Sequence, residues 1–476
     1  METLLTLWAN GYEAPATPAG LVPPKRRNGA IRSLAVRENF LDGIDDPATP
    51  EMTVEEMGSL LARGADFGGS DGLSLVQEAL QALIDWRTRQ GSAGALLMQP
   101  FHESLLWYDA RKSGSTVKWM TRKVNMRGTG VTLARLLLDP PSYLDDELRE
   151  LAGRAVGGIR DALQAPSPYG ELAERLSTVV PAETDENAAE PDEINAWSAA
   201  DSEALKPLAE RTIRHAHAIM SQTHVGPPLK LLQLRNILAL NLSHYALSRS
   251  WETTLTPTEQ RFLLASYTPE ERRNNRVRVF SEASYRNARQ KISQAIIATL
   301  AEAMREVSET KPPNVDWADY FEPRSRLEAV AAALNVANGS TGFGHEAERA
   351  YELASGGGYG RPSDAFRVLL ESVDLLVGTG QYRYLRLGPE LLAGMVGALT
   401  PSLPASADQF LAHVFDEWNI VIGEAEAVAT NLGEQVEGAE LRRNARFLEE
   451  LMVDAGLALS LSDQTCMVGQ RRVEGT

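Results

Sequence analysis

Residues 229–249 read LKLLQLRNILALNLSHYALSR. Leucine recurs almost all round a 3.6-residue period here. That pattern predicts a long helix buried among other helices rather than one lying on a surface. Lys230, Arg235, Asn236, Asn241 and His244 interrupt the apolar run, so it does not read as a membrane span. No other stretch is longer and less charged.

Helical spacing continues on both sides of this segment. Downstream, helices are expected over Ser281 to Val307, ended by Pro312-Pro313, and then at Arg324–Ala337, Glu346–Leu353 and Ser363–Val377. Upstream, Ala204–Ser221 and Tyr143–Leu163 read the same way. So does a helix from Gly72 to Arg89, with Leu73, Val76, Leu80, Leu83 and Ile84 on one face. A further helical period starts near Thr53. Strand signals are few: Val117–Met120, Arg276–Phe280 and Tyr382–Leu387 alternate. No Gly-rich strand–helix unit repeats, which argues against a doubly wound sheet. The fold class is therefore mainly α, a multi-domain helical protein with a few short strands.

The C-terminal end has its own pattern. Leu441, Ala445, Leu448, Leu451 and Met452 form one helical face, with Asn444 and Arg446 placed off it. Gly456 follows as a C′ glycine. Leu457, Leu459 and Leu461 alternate, and a polar turn leads to Cys466, Met467 and Val468. Helix, glycine, strand, turn, strand resembles the way a winged-helix domain ends.

Composition and charge limit the functional classes. The chain has 476 residues, 43% of them hydrophobic, and a net charge of −17. A protein this acidic repels phosphate polyanions on average, so any nucleic-acid contact needs local basic patches. The single cysteine, Cys466, cannot form an internal disulfide, which suits a reducing cytoplasm. The N-terminal apolar run, Leu4 to Trp8, lacks the basic flank and length of a signal peptide.

Much of the negative charge is local. Between Arg175 and Lys206 there is no basic residue, while Glu183, Asp185, Glu186, Glu190, Asp192, Glu193, Asp201 and Glu203 supply eight acids. Such a segment buries too little apolar surface to offset its ordering entropy. The expected organisation is an extended arm over residues 1–50, carrying Lys25-Arg26-Arg27, and a helical domain with a basic segment over 51–180. An acidic disordered linker follows over 181–203, then a central helical domain over 204–380. A C-terminal helical domain over 381–476 has the winged-helix-like end.

Catalytic patterns are incomplete. Gly68-Gly69-Ser70-Asp71-Gly72 precedes a helix but has no phosphate-loop lysine. Gly356-Gly357-Gly358-Tyr359-Gly360-Arg361 follows a helix rather than a strand. His215 and His217 are two apart in a helix and face different sides. After His345-Glu346, Arg349 stands where a zinc motif would place its second histidine. No Gly-x-Ser-x-Gly elbow occurs. Glu309-Thr310-Lys311 has nuclease spacing at a helix end. No metal and no cofactor is expected, and an enzyme would need a dispersed site.

Two basic stretches are the positive signal. Between Asp109 and Asp139 there is no acid. Arg111, Lys112, Lys118, Arg122, Lys123, Arg127 and Arg135 supply seven cations, interleaved with Trp107, Tyr108 and Trp119. Cations for phosphates and aromatics for bases are what nucleic-acid contact requires. From Arg272 to Lys291, Arg272, Arg273, Arg276, Arg278, Arg286, Arg289 and Lys291 face a single acid, Glu282. Arg286 and Arg289 share a helical face. The string Arg286-Asn287-Ala288-Arg289 recurs at Arg443 to Arg446. The bland alternative is pairing of these cations with acids of the chain itself.

These features describe a non-catalytic accessory or scaffold subunit of a bacterial multiprotein complex. It would be cytoplasmic, would bind other protein subunits, and would touch DNA in a DNA-processing or anti-phage setting. A pure protein–protein adaptor is the alternative from another class. A nuclease or hydrolase with a dispersed site is the third.

Overall fold

The computed structural model describes residues 110–113, 118–121, 129–166, 200–254, 261–269, 275–308, 362–401, 403–462 and 465–469; for 110–113, 118–121 and 299–308 the description is of the backbone. The N-terminal arm, the helices expected at 53–61, 72–89, 324–337 and 346–353, both glycine loops and most of the acidic stretch lie outside these residues. The described chain is mostly helical, with ten α-helices and short strands. It divides into two compact units, Met1–Leu238 and Ala239–Thr476.

The first unit opens with β1 (Ala110–Ser113) antiparallel to β2 (Lys118–Thr121), with Lys112 opposite Trp119 in the register. Three helices follow: α1 (Thr129–Leu138), α2 (Asp146–Gln164) and α3 (Lys206–Met220). Asp145 caps α2 by accepting the Leu148 N–H at 2.8 Å, and Asp146 and Glu147 add negative charge at the positive end of the helix dipole. Leu148, Ala152, Ala155, Ile159 and Leu163 recur at three- and four-residue steps and are buried. At Gly158 an added Cβ would lie 2.7 Å from Met220 Cβ, so only glycine allows α2 and α3 to approach this closely.

The central helix read from residues 229–249 is α4 (Pro227–Thr254), longer at both ends than expected. Its residues through Leu238 belong to the first unit and the rest to the second. Lys230 Nζ reaches back to the Met220 carbonyl at 2.9 Å, satisfying an open acceptor at the end of α3.

The second unit contains β3 (Leu263–Leu264), α5 (Arg276–Ser308), α6 (Pro362–Ser372), β4 (Leu376–Val377), β5 (Tyr384–Leu385) and α7 (Pro389–Leu399). It continues with β6 (Ala405–Ser406), α8 (Ala407–Trp418), β7 (Ile420–Val421), α9 (Glu424–Val428), α10 (Gly438–Asp454), β8 (Ala458–Ser462) and β9 (Thr465–Val468). β3 runs parallel to β7, and β4 pairs antiparallel with β5. The last sheet is antiparallel in the order β6-β9-β8. One core cluster joins Phe262, Leu264, Val277, Val421, Leu432 and Leu441, with Phe280 and Phe415 packed against it. The first turns of α5 and α10 are thus set in the same apolar cluster.

Two strand expectations change. Arg276–Phe280 is the first turn of α5, not a strand. Asn275 caps it by accepting the Arg278 N–H at 2.9 Å, and Val277 is buried in line with Ser281, Tyr285, Ala288 and Ile292. The apparent alternation is the start of a helix with its two valines on different faces, Val277 buried and Val279 exposed. Of Tyr382–Leu387, only Tyr384–Leu385 pairs as strand, because the preceding Gly380–Tyr382 forms a 3-10 turn. The alternation of faces survives: Leu385 and Leu387 are buried and Arg386 is exposed. The helix expected over Ser363–Val377 stops at Ser372, where Asp374 adopts φ 58° and the chain turns into β4.

The reading of the C-terminal end holds in its elements. α10 ends before Gly456, which has φ 71°, and the Leu457 N–H donates to the Met452 carbonyl at 2.8 Å. The β8–β9 hairpin follows. Among the described residues no helix is long and apolar enough to cross a membrane.

Candidate nucleic-acid interface

The expected contact residues separate into three groups. Arg122, Lys123, Arg127, Arg272 and Arg273 lie outside the described residues. Arg111, Lys112, Lys118 and Trp119 stand on β1 and β2, where the hairpin register brings the two cationic strands side by side. Arg276, Arg278, Arg286, Arg289 and Lys291 all lie on α5, with described side chains.

On α5 the cations take different roles. Arg276 and Arg286 are exposed, and among the described residues neither is ion-paired. Arg278 turns inward. Its guanidinium lies 4.3 Å from the Tyr384 ring centroid, and its Nε is 3.7 Å from the fully buried Glu282 carboxylate. Lys291 Nζ donates to the Thr254 carbonyl at 3.4 Å. Arg289 follows Tyr285 by four residues and shares its face. The stretch that reads as one basic patch is thus divided between solvent and internal contacts.

Arg135, the last cation of the first stretch, is also taken internally. Its guanidinium donates to both Asp201 carboxylate oxygens at 2.9 and 2.7 Å, and only 13% of the arginine side chain is exposed. Asp201 belongs to the acidic stretch, and the adjacent Ala200 is buried and accepts the Tyr143 hydroxyl at 2.9 Å.

A third arginine group lies on α10. Arg442, Arg443 and Arg446 point outward. Arg442 pairs with Glu424, and Arg446 Nε lies 3.7 Å from Glu450. The Arg442 and Arg446 side chains are 62% and 75% exposed, and exposed pairs of this kind contribute only about 0–1 kcal/mol.

Asn444 fixes the orientation of this helix. It is fully buried, which corrects its placement off the apolar face. Its side-chain oxygen accepts the Tyr267 N–H at 2.7 Å, and its amide nitrogen donates to the Ala265 and Ile422 carbonyls, both at 2.9 Å. One side chain thereby ties α10 to the chain beside β3 and β7. The spacing Leu441, Asn444, Leu448, Met452 was available in the sequence. The polar type of Asn444 hid that it belongs to the buried stripe.

A further cluster had no sequence signal. Glu371 bridges Arg367 Nη1 at 2.7 Å and Arg383 Nε at 3.0 Å. Phe366, next to Arg367, stacks on Tyr285 at a centroid distance of 6.5 Å. Tyr285 is 5% exposed, and among the described residues its hydroxyl has no hydrogen-bond partner. Burial pushes this hydroxyl above the usual tyrosine range, against the pull of Arg289, Arg383 and Arg367.

Other titratable groups are set by burial. Glu426, capping α9 through the Gly423 N–H, is raised by desolvation despite its backbone hydrogen bonds. Glu449 is raised by burial and by Asp408, and the Cys466 thiol by burial and by Glu449. Among the described residues no three His, Cys, Asp or Glu side chains are grouped to hold a metal ion. Comparison with family models, with curated proteins and with solved structures finds no match for this chain.

Proposed function

We propose that the protein is a non-catalytic accessory subunit that contacts DNA through the outward arginines of α10 and α5 and through the β1–β2 hairpin. The observation that carries this reading is the position of Arg442, Arg443 and Arg446 on the outer face of α10, directly before the β8–β9 hairpin. From α7 the chain runs helix, strand, helix, then α10, then two strands, with sheet order β6-β9-β8. The run of α10, Gly456 and the β8–β9 hairpin supports the resemblance to the end of a winged-helix unit. In helix-turn-helix readers the recognition helix lies in the major groove while other elements hold phosphates. Arg276 and Arg286 would supply phosphate contacts from α5 and Lys112 and Lys118 from the hairpin, with Trp119 available to stack on a base. The acidic stretch over 181–203 serves in this reading as a linker whose carboxylates compete with DNA for cations, as Asp201 does for Arg135.

The test is retention of duplex DNA by the full chain across a salt series. With about seven phosphate contacts, log affinity should fall against log salt with a slope of about −6. A response flat in salt would remove DNA from the reading.

The second reading, a protein–protein adaptor, is favoured by a different observation. Leu459 and Leu461 are 46% and 50% exposed and line an open apolar groove of about 400 Å³ beside β8. Apolar surface of this kind marks protein contact more often than nucleic-acid contact. Flat salt dependence together with a tight complex with a co-purifying subunit, weakened by Leu459→Ser and Leu461→Ser, would establish it.

A further inference from the structure

We infer that β8 is a docking edge for a second copy of this chain. The two β8 strands pair antiparallel about a two-fold axis at Leu459, and each sheet continues into the other. The inference deepens the adaptor reading, because it rests on the same apolar groove and names its occupant. It does not rest on the DNA reading.

β8 is an outer strand, since β9 lies between it and β6. The ladder shows which of its backbone groups are open. The Gly469 N–H donates to the Leu457 carbonyl at 2.9 Å, and Leu459 stands opposite Met467. Backbone groups of an antiparallel strand alternate between its two sides. Leu459 therefore turns its N–H and C=O toward β9, and Ala458 and Ser460 turn theirs outward. Among the described residues neither has a backbone partner on that side. Edge strands are normally protected by charge, proline or a bulge. Gly456-Leu457-Ala458-Leu459-Ser460-Leu461-Ser462 carries no charge and no proline, and its register with β9 shifts only beyond Ser460.

Charge and symmetry select the occupant. The chain carries a net charge of −17, so two copies repel each other on average. They meet at least cost along an uncharged strand, and a charged foreign strand finds no counter-charge on β8. Centred on Leu459, the strand also matches itself. Ala458 of each copy faces Ser460 of the other, and each such pair exchanges both of its outward N–H···O bonds. Leu459 faces Leu459 of the second copy in a non-hydrogen-bonded pair, where side chains approach most closely. Leu459 and Leu461 line the groove, so the two grooves join into one apolar strip. Two short strands bury less than the roughly 1,200 Å² of a standard interface, which makes the dimer weak and concentration-dependent.

The experiment is sedimentation velocity of the full chain, freed of nucleic acid, over roughly 1–100 μM. A monomer–dimer equilibrium is expected within that range. Leu459→Lys sets like charges opposite each other across the axis and should weaken the dimer about tenfold. Leu459 is 46% exposed, so the unfolding midpoint of this variant should stay at the wild-type value. A second variant traps the register. Leu459→Cys in a Cys466→Ser background should form an intermolecular disulfide on mild oxidation, because opposed residues of this kind stand about 4.5 Å apart at Cα, within disulfide reach. Val428→Cys in the same background, at a position 74% exposed, should not. A chain that stays monomeric throughout the range, or a dimer of wild-type affinity in Leu459→Lys, overturns the proposal. A monomer that binds a co-purifying subunit through Leu459 and Leu461 removes the self-pairing and leaves the adaptor reading standing.

Discussion

Arg135 and Asp201 stand 66 residues apart and meet in a two-bond pair, with distances of 2.9 and 2.7 Å. The pair joins α1 to the segment leading into α3. The arginine is mostly buried and the carboxylate mostly exposed. An acid of the acidic stretch therefore neutralises a cation of the first basic stretch. This is the internal alternative to nucleic-acid contact, realised at one position.

The first prediction concerns this pair. Asp201→Asn should lower unfolding stability by about 1–3 kcal/mol, because a mostly buried guanidinium loses its charged acceptor. Deleting residues 181–199, which leaves Ala200 and Asp201 in place, should tighten duplex binding at low salt. Unchanged affinity after that deletion would show that the acidic stretch does not compete for the cations.

The second concerns the outward arginines. Arg442→Glu and Arg446→Glu, and separately Arg276→Glu and Arg286→Glu, should each reduce the salt slope of DNA binding by about 1 per residue. Stability should change by no more than about 0.5 kcal/mol at Arg276 and Arg286 and by about 1 kcal/mol at Arg442 and Arg446, which lose an exposed ion pair. Circular dichroism and denaturant melts check the second part. Wild-type salt slopes in all four variants would move the contact elsewhere.

The third concerns Asn444. Asn444→Ala removes the partner of the Tyr267 N–H and of the Ala265 and Ile422 carbonyls at a fully buried position. Unpaired buried groups cost about 1–3 kcal/mol each, so a loss of about 3 kcal/mol or more is expected in urea unfolding. Asn444→Leu should be no better, because shape is restored while the backbone groups stay unpaired. A loss below about 1 kcal/mol would show that this junction tolerates repacking or admits water.

The fourth contrasts two adjacent glycines of α2. An added Cβ at Gly157 meets nothing within 4 Å, whereas at Gly158 it meets Met220 Cβ at 2.7 Å. Gly157→Ala should stabilise by up to about 1 kcal/mol through helix propensity. Gly158→Ala should destabilise by about 1–3 kcal/mol, since α2 and α3 must move apart. Thermal melts of the two variants should shift in opposite directions.

The fifth is a pH effect. Burial and Asp408 raise the Glu449 carboxyl above its ordinary value of 4.5. An acid with a raised folded-state pKa favours folding in its protonated form. Its favourable contribution is complete below the unfolded-state pKa and is lost as pH rises through the folded-state value. Glu449→Gln should therefore raise the unfolding midpoint at neutral pH, and the gain should vanish on acidification below about 4. A constant gain across that range would mean that packing, not charge, is responsible.

Local sequence by itself determined the helical class, the central helix around residues 229–249, and the end of α10 at Gly456. Those features depend on periodicity, leucine content and a left-handed glycine, all of which act within a few residues. It also located the charged stretches, since charge is a property of composition. Only the tertiary structure decided which cations face solvent. Arg278 is drawn to Tyr384 and Glu282, and Arg135 to Asp201, while Arg276 and Arg286 stay outward; the first two outcomes depend on partners far along the chain. The burial of Asn444 and the grouping of Tyr285, Arg367, Glu371 and Arg383 have the same origin. A polar side chain has no preference for the interior until a distant backbone or charge is brought within hydrogen-bond reach, and only the packed chain does that.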